Sequence, residues 1–174
     1  MNTKVELKDI DFPNHQRKLQ LHTGLNEEAR SQVVSKMKGV LADSYLLMLK
    51  TQNYHWNVKG TLFKSLHDLT EQHYNELFES IDDLAERIRA LGHEAPGSFS
   101  AFQSLSQVQE AKSGLTDLEM AGDLLDTHET IIMNVRETLR TADEFADEVT
   151  VDMMVNRLTV HEKAAWMLRS FLER

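Results

Sequence analysis

The sequence contains no cysteine. That excludes disulfides, thiolate metal sites and cysteine nucleophiles, and suits a reducing compartment such as the cytosol. Proline is almost missing. Pro13 and Pro96 are the only two, and both fall outside the long periodic stretches, so helices can run uninterrupted. Glycine is sparse, with seven residues. No apolar run approaches the roughly 18 residues of a membrane span, and the opening Met1-Asn2-Thr3-Lys4-Val5-Glu6 lacks the apolar core of a signal peptide. Positive charge is in deficit: 19 Lys and Arg stand against 28 Asp and Glu, a formal net charge of −9. That balance disfavours a generic nucleic-acid binder. Internal repeats, low-complexity segments and strand-like alternation are absent as well.

What is present reads as helix. The 174 residues, 41% hydrophobic and 27% charged, suffice for one domain with a sizeable core. Residues 1–25 read as an extended tail and 26–174 as the folded domain. Asn26 caps a first helix, with Glu27 and Glu28 complementing its dipole. Val33, Met37, Val40, Leu41, Tyr45 and Met48 form its apolar stripe, and Gly60 follows its end. A second helix spans about Leu62 to Leu91 and stops at Gly92. His93 to Gly114 is a long connection in which Phe99 to Val108 predicts a short helix. Thr116-Asp117-Leu118-Glu119 is a capping box opening a third long helix. Its stripe is Leu118, Ala121, Leu125, His128, Ile132, Val135, Leu139, Ala142 and Ala146. Thr150 is the expected cap of a fourth, striped by Val151, Met154, Leu158, His161, Ala165, Leu168 and Leu172. The expectation is an all-α, ferritin-like four-helix bundle with one long crossover that carries an extra short helix.

The second helix holds a ligand pattern. On a wheel of about 100° per residue, with His67 at zero, Glu71, Asp82 and Glu86 fall within about 100° on one side. Along the axis Glu71 and Asp82 lie about 16 Å apart, whereas two ligands of one first-row metal sit roughly 4 Å apart. His67/Glu71 and Asp82/Glu86 are therefore two half-sites, each an i,i+4 pair. Antiparallel pairing with a second copy about a two-fold axis would join unlike halves and make two equivalent sites. His55, at the end of the first helix, can join His67. Imidazole with carboxylate suits Fe(II), with Zn, Mn and Co as competitors. A conventional di-iron bundle uses Glu-x-x-His pairs, and none of the eight histidines has Glu three residues before it.

The run His55-Trp56-Asn57-Val58-Lys59-Gly60, with Phe63, Leu66-His67, Tyr74 and Asp82-Asp83-Leu84-Ala85-Glu86-Arg87-Ile88, closely resembles the signature of the Dps family, the mini-ferritins. The resemblance covers residues 26–172, through His161-Glu162-Lys163-Ala164-Ala165-Trp166-Met167-Leu168-Arg169. It implies a hollow homododecamer that oxidises Fe(II), preferably with hydrogen peroxide, and stores ferric mineral inside. By position it implies that His55, His67 and Glu71 come from one subunit and Asp82 and Glu86 from its two-fold mate. The family has Asp or Glu at the place of Glu71. Trp56 is expected beside the site. The acidic run Asp143-Glu144-Phe145-Ala146-Asp147-Glu148, followed by Asp152, lies where relatives line three-fold pores, which makes Asp143, Glu148 and Asp152 the pore candidates. A ring of carboxylates there would focus cations.

The remaining histidines read as structural. His128 and His161 sit on core stripes, while His15, His22, His73 and His93 have no partner at ligand spacing. The methionines read as core filler. Many relatives compact DNA through lysine-rich tails. Here Lys4, Lys8, Arg17 and Lys18 are nearly balanced by Glu6, Asp9 and Asp11, and little chain follows Leu172. A dozen copies carry a formal charge of roughly −100, unfavourable toward phosphates. Direct DNA binding is expected to be weak or absent, and a cytoplasmic location is expected, with nucleoid association as the alternative. The competing functional reading is a DNA-compacting protein with a secondary metal site. Its missing feature is a basic tail.

Overall fold

The computed structural model describes residues 21–173. The order is α1 (Glu27–Asn57), α2 (Phe63–Ala90), α3 (Phe99–Leu105), α4 (Asp117–Glu144) and α5 (Glu148–Leu172). Among the described residues there is no strand, and no helix is long and apolar enough to cross a membrane. The four long helices form the expected bundle, and α3 is the extra element in the crossover. Most of the expected tail, including His15, lies outside the described residues. Residues 21–25 run along the bundle: Leu25 packs on the core, and its carbonyl accepts from Arg30 Nη1 at 2.5 Å.

The caps define the helices. Asn26 Oδ1 accepts from Ala29 N at 2.8 Å, which satisfies an otherwise orphaned N–H in the first turn of α1. Thr116 and Glu119 form the complete capping box of α4. Thr150 does not cap α5. Asp147 does, accepting from Thr150 N at 3.1 Å. The corner reverses in three residues, with Ala146 at φ 53°, and this brings the aspartate into the cap position earlier than the Thr150 reading allowed. Thr150 is instead buried and donates to Asp147 Oδ2 at 2.7 Å.

Pairings across helices fix the topology. Lys36–Glu137 and Lys50–Asp123 run α1 antiparallel to α4. Arg136–Glu162 and Arg169–Glu129 do the same for α4 and α5. Arg87–Asp147 and Arg157–Glu76 do so for α2 and α5. His55 beside His67 makes α1 and α2 a hairpin. So α2 and α4 are parallel, and the 91–116 connection must travel the full bundle length. It is pinned at its middle. Phe102 stacks on Tyr45 at 4.5 Å between ring centroids. The fully buried Asp43 accepts from Ser106 Oγ and Gln107 N, each at 2.7 Å, and from Asn134 Nδ2 at 2.6 Å.

The core follows the predicted stripes with local shifts. Val33, Met37, Val40, Leu41, Leu77, Leu84, Ile88, Val135, Met154 and Leu168 are buried. Leu118 and Ala146, expected inside, are exposed, and Ile131 rather than Ile132 occupies the centre. Leu118 lies in the first turn of α4, beyond the reach of the neighbouring helices, and Ala146 lies in the corner. A charged network sits at the α1–α4 seam. Asp123 takes Lys50 at 2.8 Å, Lys112 at 2.9 Å and the Tyr54 hydroxyl at 2.8 Å. Burial, opposed by the Lys112 backbone N–H and reinforced by Asp123, pushes the Tyr54 hydroxyl up to about 12.

Candidate metal centre

The last turn of α1 and the first two turns of α2 face each other across a five-residue loop. This loop is positioned from a distance. Asp117, at the start of α4, accepts the N–H of Leu62, the N-cap residue of α2, at 2.9 Å. The carboxylate presses so close to Gly60 that a β-carbon there would stand 2.6 Å from Asp117 Oδ2, and Gly60 has φ +108°. Both facts require glycine.

The loop sets His55 against His67. Their rings stack with centroids 3.8 Å apart and planes 17° apart. Each Nδ1 lies 2.9 Å from the other residue's backbone carbonyl oxygen. A carbonyl can only accept, so both Nδ1 atoms carry hydrogen and donate. In a neutral imidazole this leaves both Nε2 atoms as bare lone pairs, the form in which histidine binds metal. Thr70 Oγ1 lies 3.4 Å from His55 Nδ1. Phe63 stacks on His67 at 5.2 Å, and Tyr74 meets His55 edge-on at 5.2 Å. His55 is buried and His67 half-buried.

The carboxylates do not gather around this pair within the chain. Glu71 lies one turn beyond His67 and is exposed; Asp82 and Glu86 are exposed on the far half of α2. Among the described residues, no three His, Asp or Glu side chains stand close enough to hold a metal ion. The helix face between the half-sites carries Phe78, about 20° from His67 on the wheel and 70% exposed. Trp56, beside His55, is 67% exposed. Both are large aromatic side chains left exposed beside the candidate ligands.

Asp143, Glu148 and Asp152 are all exposed around the α4–α5 corner. Asp147, in the same acidic run, turns inward and pairs with Arg87 at 2.5 Å.

Three other histidines form a group that their sequence spacing concealed. His73 of α2, His128 of α4 and His161 of α5 converge in the bundle. His128 and His161 are buried as expected. His73, read as lacking a partner, has its ring centroid 5.6 Å from that of His128. Spacing along one helix cannot register a partner on another. The visible signal was the placement of His128 and His161 on two core stripes.

A family model described as a ferritin-like domain matches residues 35–174. An uncharacterized low temperature-induced protein of Nostoc sp. is 43% identical over 155 residues, covering 88% of this chain and 87% of that protein. The DNA protection during starvation protein 2 of Bacillus anthracis is 34% identical, covering 82% of this chain and 98% of its own. The crystal structure of the Dps protein from Vibrio cholerae, described as a member of a broad superfamily of ferritin-like diiron-carboxylate proteins, superposes with a TM-score of 0.82. It is 30% identical and covers 86% of this chain and 94% of that one.

Proposed function

The chain belongs to the Dps family of ferritin-like proteins, whose general province is iron storage and stress protection, and we propose that it is a ferroxidase whose sites are shared between two-fold-related subunits. The observation that carries this reading is the His55/His67 pair, whose Nδ1 atoms are both engaged by backbone carbonyls so that Nε2 is the free ring nitrogen of each neutral imidazole. In the proposal His55, His67 and Glu71 of one subunit meet Asp82 and Glu86 of its mate. The exposed Phe78 and Trp56 supply apolar area for that interface. Repetition of the interface with tetrahedral symmetry gives a homododecamer with ferric mineral inside.

Iron is the substrate. Two Fe(II) ions each give up one electron. The O–O bond of hydrogen peroxide breaks, accepting two electrons and two protons, and two Fe(III) and two waters result. Pairing the electrons in this way avoids the one-electron route to hydroxyl radical. Carboxylates favour the ferric product as hard oxygen ligands, while neutral imidazoles allow Fe(II) to enter. Trp56, the residue after His55 and exposed, is proposed to intercept a stray oxidant. Asp143, Glu148 and Asp152 are proposed to line the iron entry pores, their exposure at one corner supporting a ring when three copies meet.

Protection of DNA by such a protein follows from removing iron and peroxide. The net charge of −9 per chain supports weak or absent direct DNA binding, in a cytoplasmic protein. A gel shift showing tight binding without divalent metal would overturn that part. The deciding experiment measures Fe(II) oxidation by peroxide in the wild type and in His55→Ala/His67→Ala, with particle size followed in parallel. The variant is expected to lose most of the initial rate. Unchanged kinetics would refute the ligand assignment, and a fully active monomer would refute the shared site.

A further inference from the structure

The interior histidine group offers hydrogen-bonding edges that the rest of the chain does not use. His128 and His161 are 2% and 0% exposed, and their Nδ1 atoms lie 3.0 Å apart. One Nδ1 must donate and the other accept. In the neutral pair the donating ring keeps a bare Nε2, and the accepting ring carries its hydrogen on Nε2. Among the described residues neither Nε2 has a hydrogen-bond partner, and nor does His73 Nδ1. Buried polar atoms in native proteins nearly always have one. All three rings line a cavity of about 240 Å³. Leu77, Val160 and Met167 give it apolar walls, and it reaches the surface past Gln72 and Lys163. A cavity of about 150 Å³ holds benzene, so this one has room for a six-membered ring with one small polar substituent. Apolar walls with a few convergent polar groups are the usual make-up of a small-molecule site.

The charge around the cavity has a positive balance. Among the described residues, the charged groups that line it or act on the pair are Glu76 on α2 and Arg157 and Lys163 on α5. Glu76 is taken by Arg157 Nη2. Arg157 is 5% exposed, and its Nη1 has no partner among the described residues. Lys163 adds a further positive charge at the mouth. We propose that this cavity binds a small organic monocarboxylate, with its carboxylate on the Nε2 edges of His128 and His161 and its apolar body against Leu77, Val160 and Met167. One proton enters with the anion. Placed on the bare Nε2, it leaves the Nδ1–Nδ1 bond intact and makes both Nε2 atoms donors. The carboxylate accepts from both, and its charge balances the one the pair has gained. Without the anion, burial first and then the neighbouring Arg157 keep both rings neutral. The site is separate from the proposed iron ligands. On the wheel of α2, Glu76 and His73 lie about 180° and 240° from His67, on the other side of the helix from Glu71, Asp82 and Glu86.

The test uses the assembled, iron-free, full-length protein. Crystals soaked in 4-bromobenzoate should show bromine anomalous scattering in the cavity, with the carboxylate in hydrogen-bond reach of His128 and His161. Calorimetry with benzoate, in two buffers of different ionisation heat, should find one site per chain and the uptake of one proton. The affinity should rise about tenfold per pH unit as pH falls from 7.5 to 5.5. Benzylamine, a cation of nearly the same shape, should bind roughly tenfold more weakly or worse. Only water against the two rings, with bromine elsewhere, would overturn the proposal without relying on any variant's folding. Benzoate binding without proton uptake, equal binding of benzylamine, or undiminished benzoate binding by a folded His128→Leu/His161→Leu would each overturn it too.

Discussion

Lowering the pH from 7 to 5.5 in the presence of a chelator should weaken the fold through the bundle's histidines. In the folded chain, burial first, then the neighbouring His161, His73 and Arg157, hold His128 well below its ordinary range. Burial, then Arg157 and His73, take His161 down to about 3. Both rings therefore stay neutral at pH 5.5, while in the unfolded chain each titrates near 6.5. The unfolded state binds more protons across this window, so stability is full above pH 7 and declines as pH falls below 6.5. Integrating that difference gives about 1.2 kcal/mol per ring between pH 7 and 5.5, or about 2.5 kcal/mol for the two. This is a sizeable share of a typical domain's 5–15 kcal/mol. Urea unfolding at fixed protein concentration, at both pH values, measures it. His128→Leu/His161→Leu should lose about 2.5 kcal/mol less than the wild type over the same interval. Equal losses in the two proteins would refute the reasoning, because they would mean that the rings are already charged or solvated in the fold.

Asp43→Ala should destabilise by about 3 kcal/mol, since Ser106 Oγ, Gln107 N and Asn134 Nδ2 lose their shared acceptor. Hydrogen exchange at residues 106–108 should accelerate with it. Gly60→Ala should cost about 1–3 kcal/mol, from the positive φ together with the crowding against Asp117, read as a lower thermal midpoint. Glu71→Ala, which removes a proposed iron ligand while leaving the histidine pair intact, should slow peroxide-driven Fe(II) oxidation by roughly tenfold or more. Stopped-flow absorbance of the ferric product would check this, and an unchanged rate would remove Glu71 from the site.

The bundle was legible because its signals are local. Thr116 and Glu119 sit three apart, Asn26 precedes two glutamates, and the apolar stripes recur at three and four residues. The proposed split ligand set rests on the same kind of signal, since its four members on α2 are placed by counting along one helix. What could not be read depends on contacts between helices. The corner at Ala146 moved the cap of α5 to Asp147. The convergence of His73, His128 and His161 depends on the register of three helices, which no single periodicity encodes. The mutual hydrogen bonds of His55 and His67 depend on Asp117, more than fifty residues away, holding the loop between them.

The ion pair of Arg87 with Asp147, with the bond from Arg87 Nε to Thr150 Oγ1 at 3.0 Å, joins α2 to the α4–α5 corner. Arg87 follows Glu86 directly, and Asp147 immediately precedes Glu148. The half of α2 that carries Asp82 and Glu86 is thereby held in register with the acidic corner. One residue inserted between Asp143 and Asp147 would rotate the start of α5 by about 100°. It would displace the aspartate from Arg87 and re-aim the corner's carboxylates in the same step. Loops at helix corners usually tolerate changes of length. This one should behave instead as a fixed-length part, in which the spacing between the proposed pore carboxylates and the proposed ligands of α2 is held by three residues.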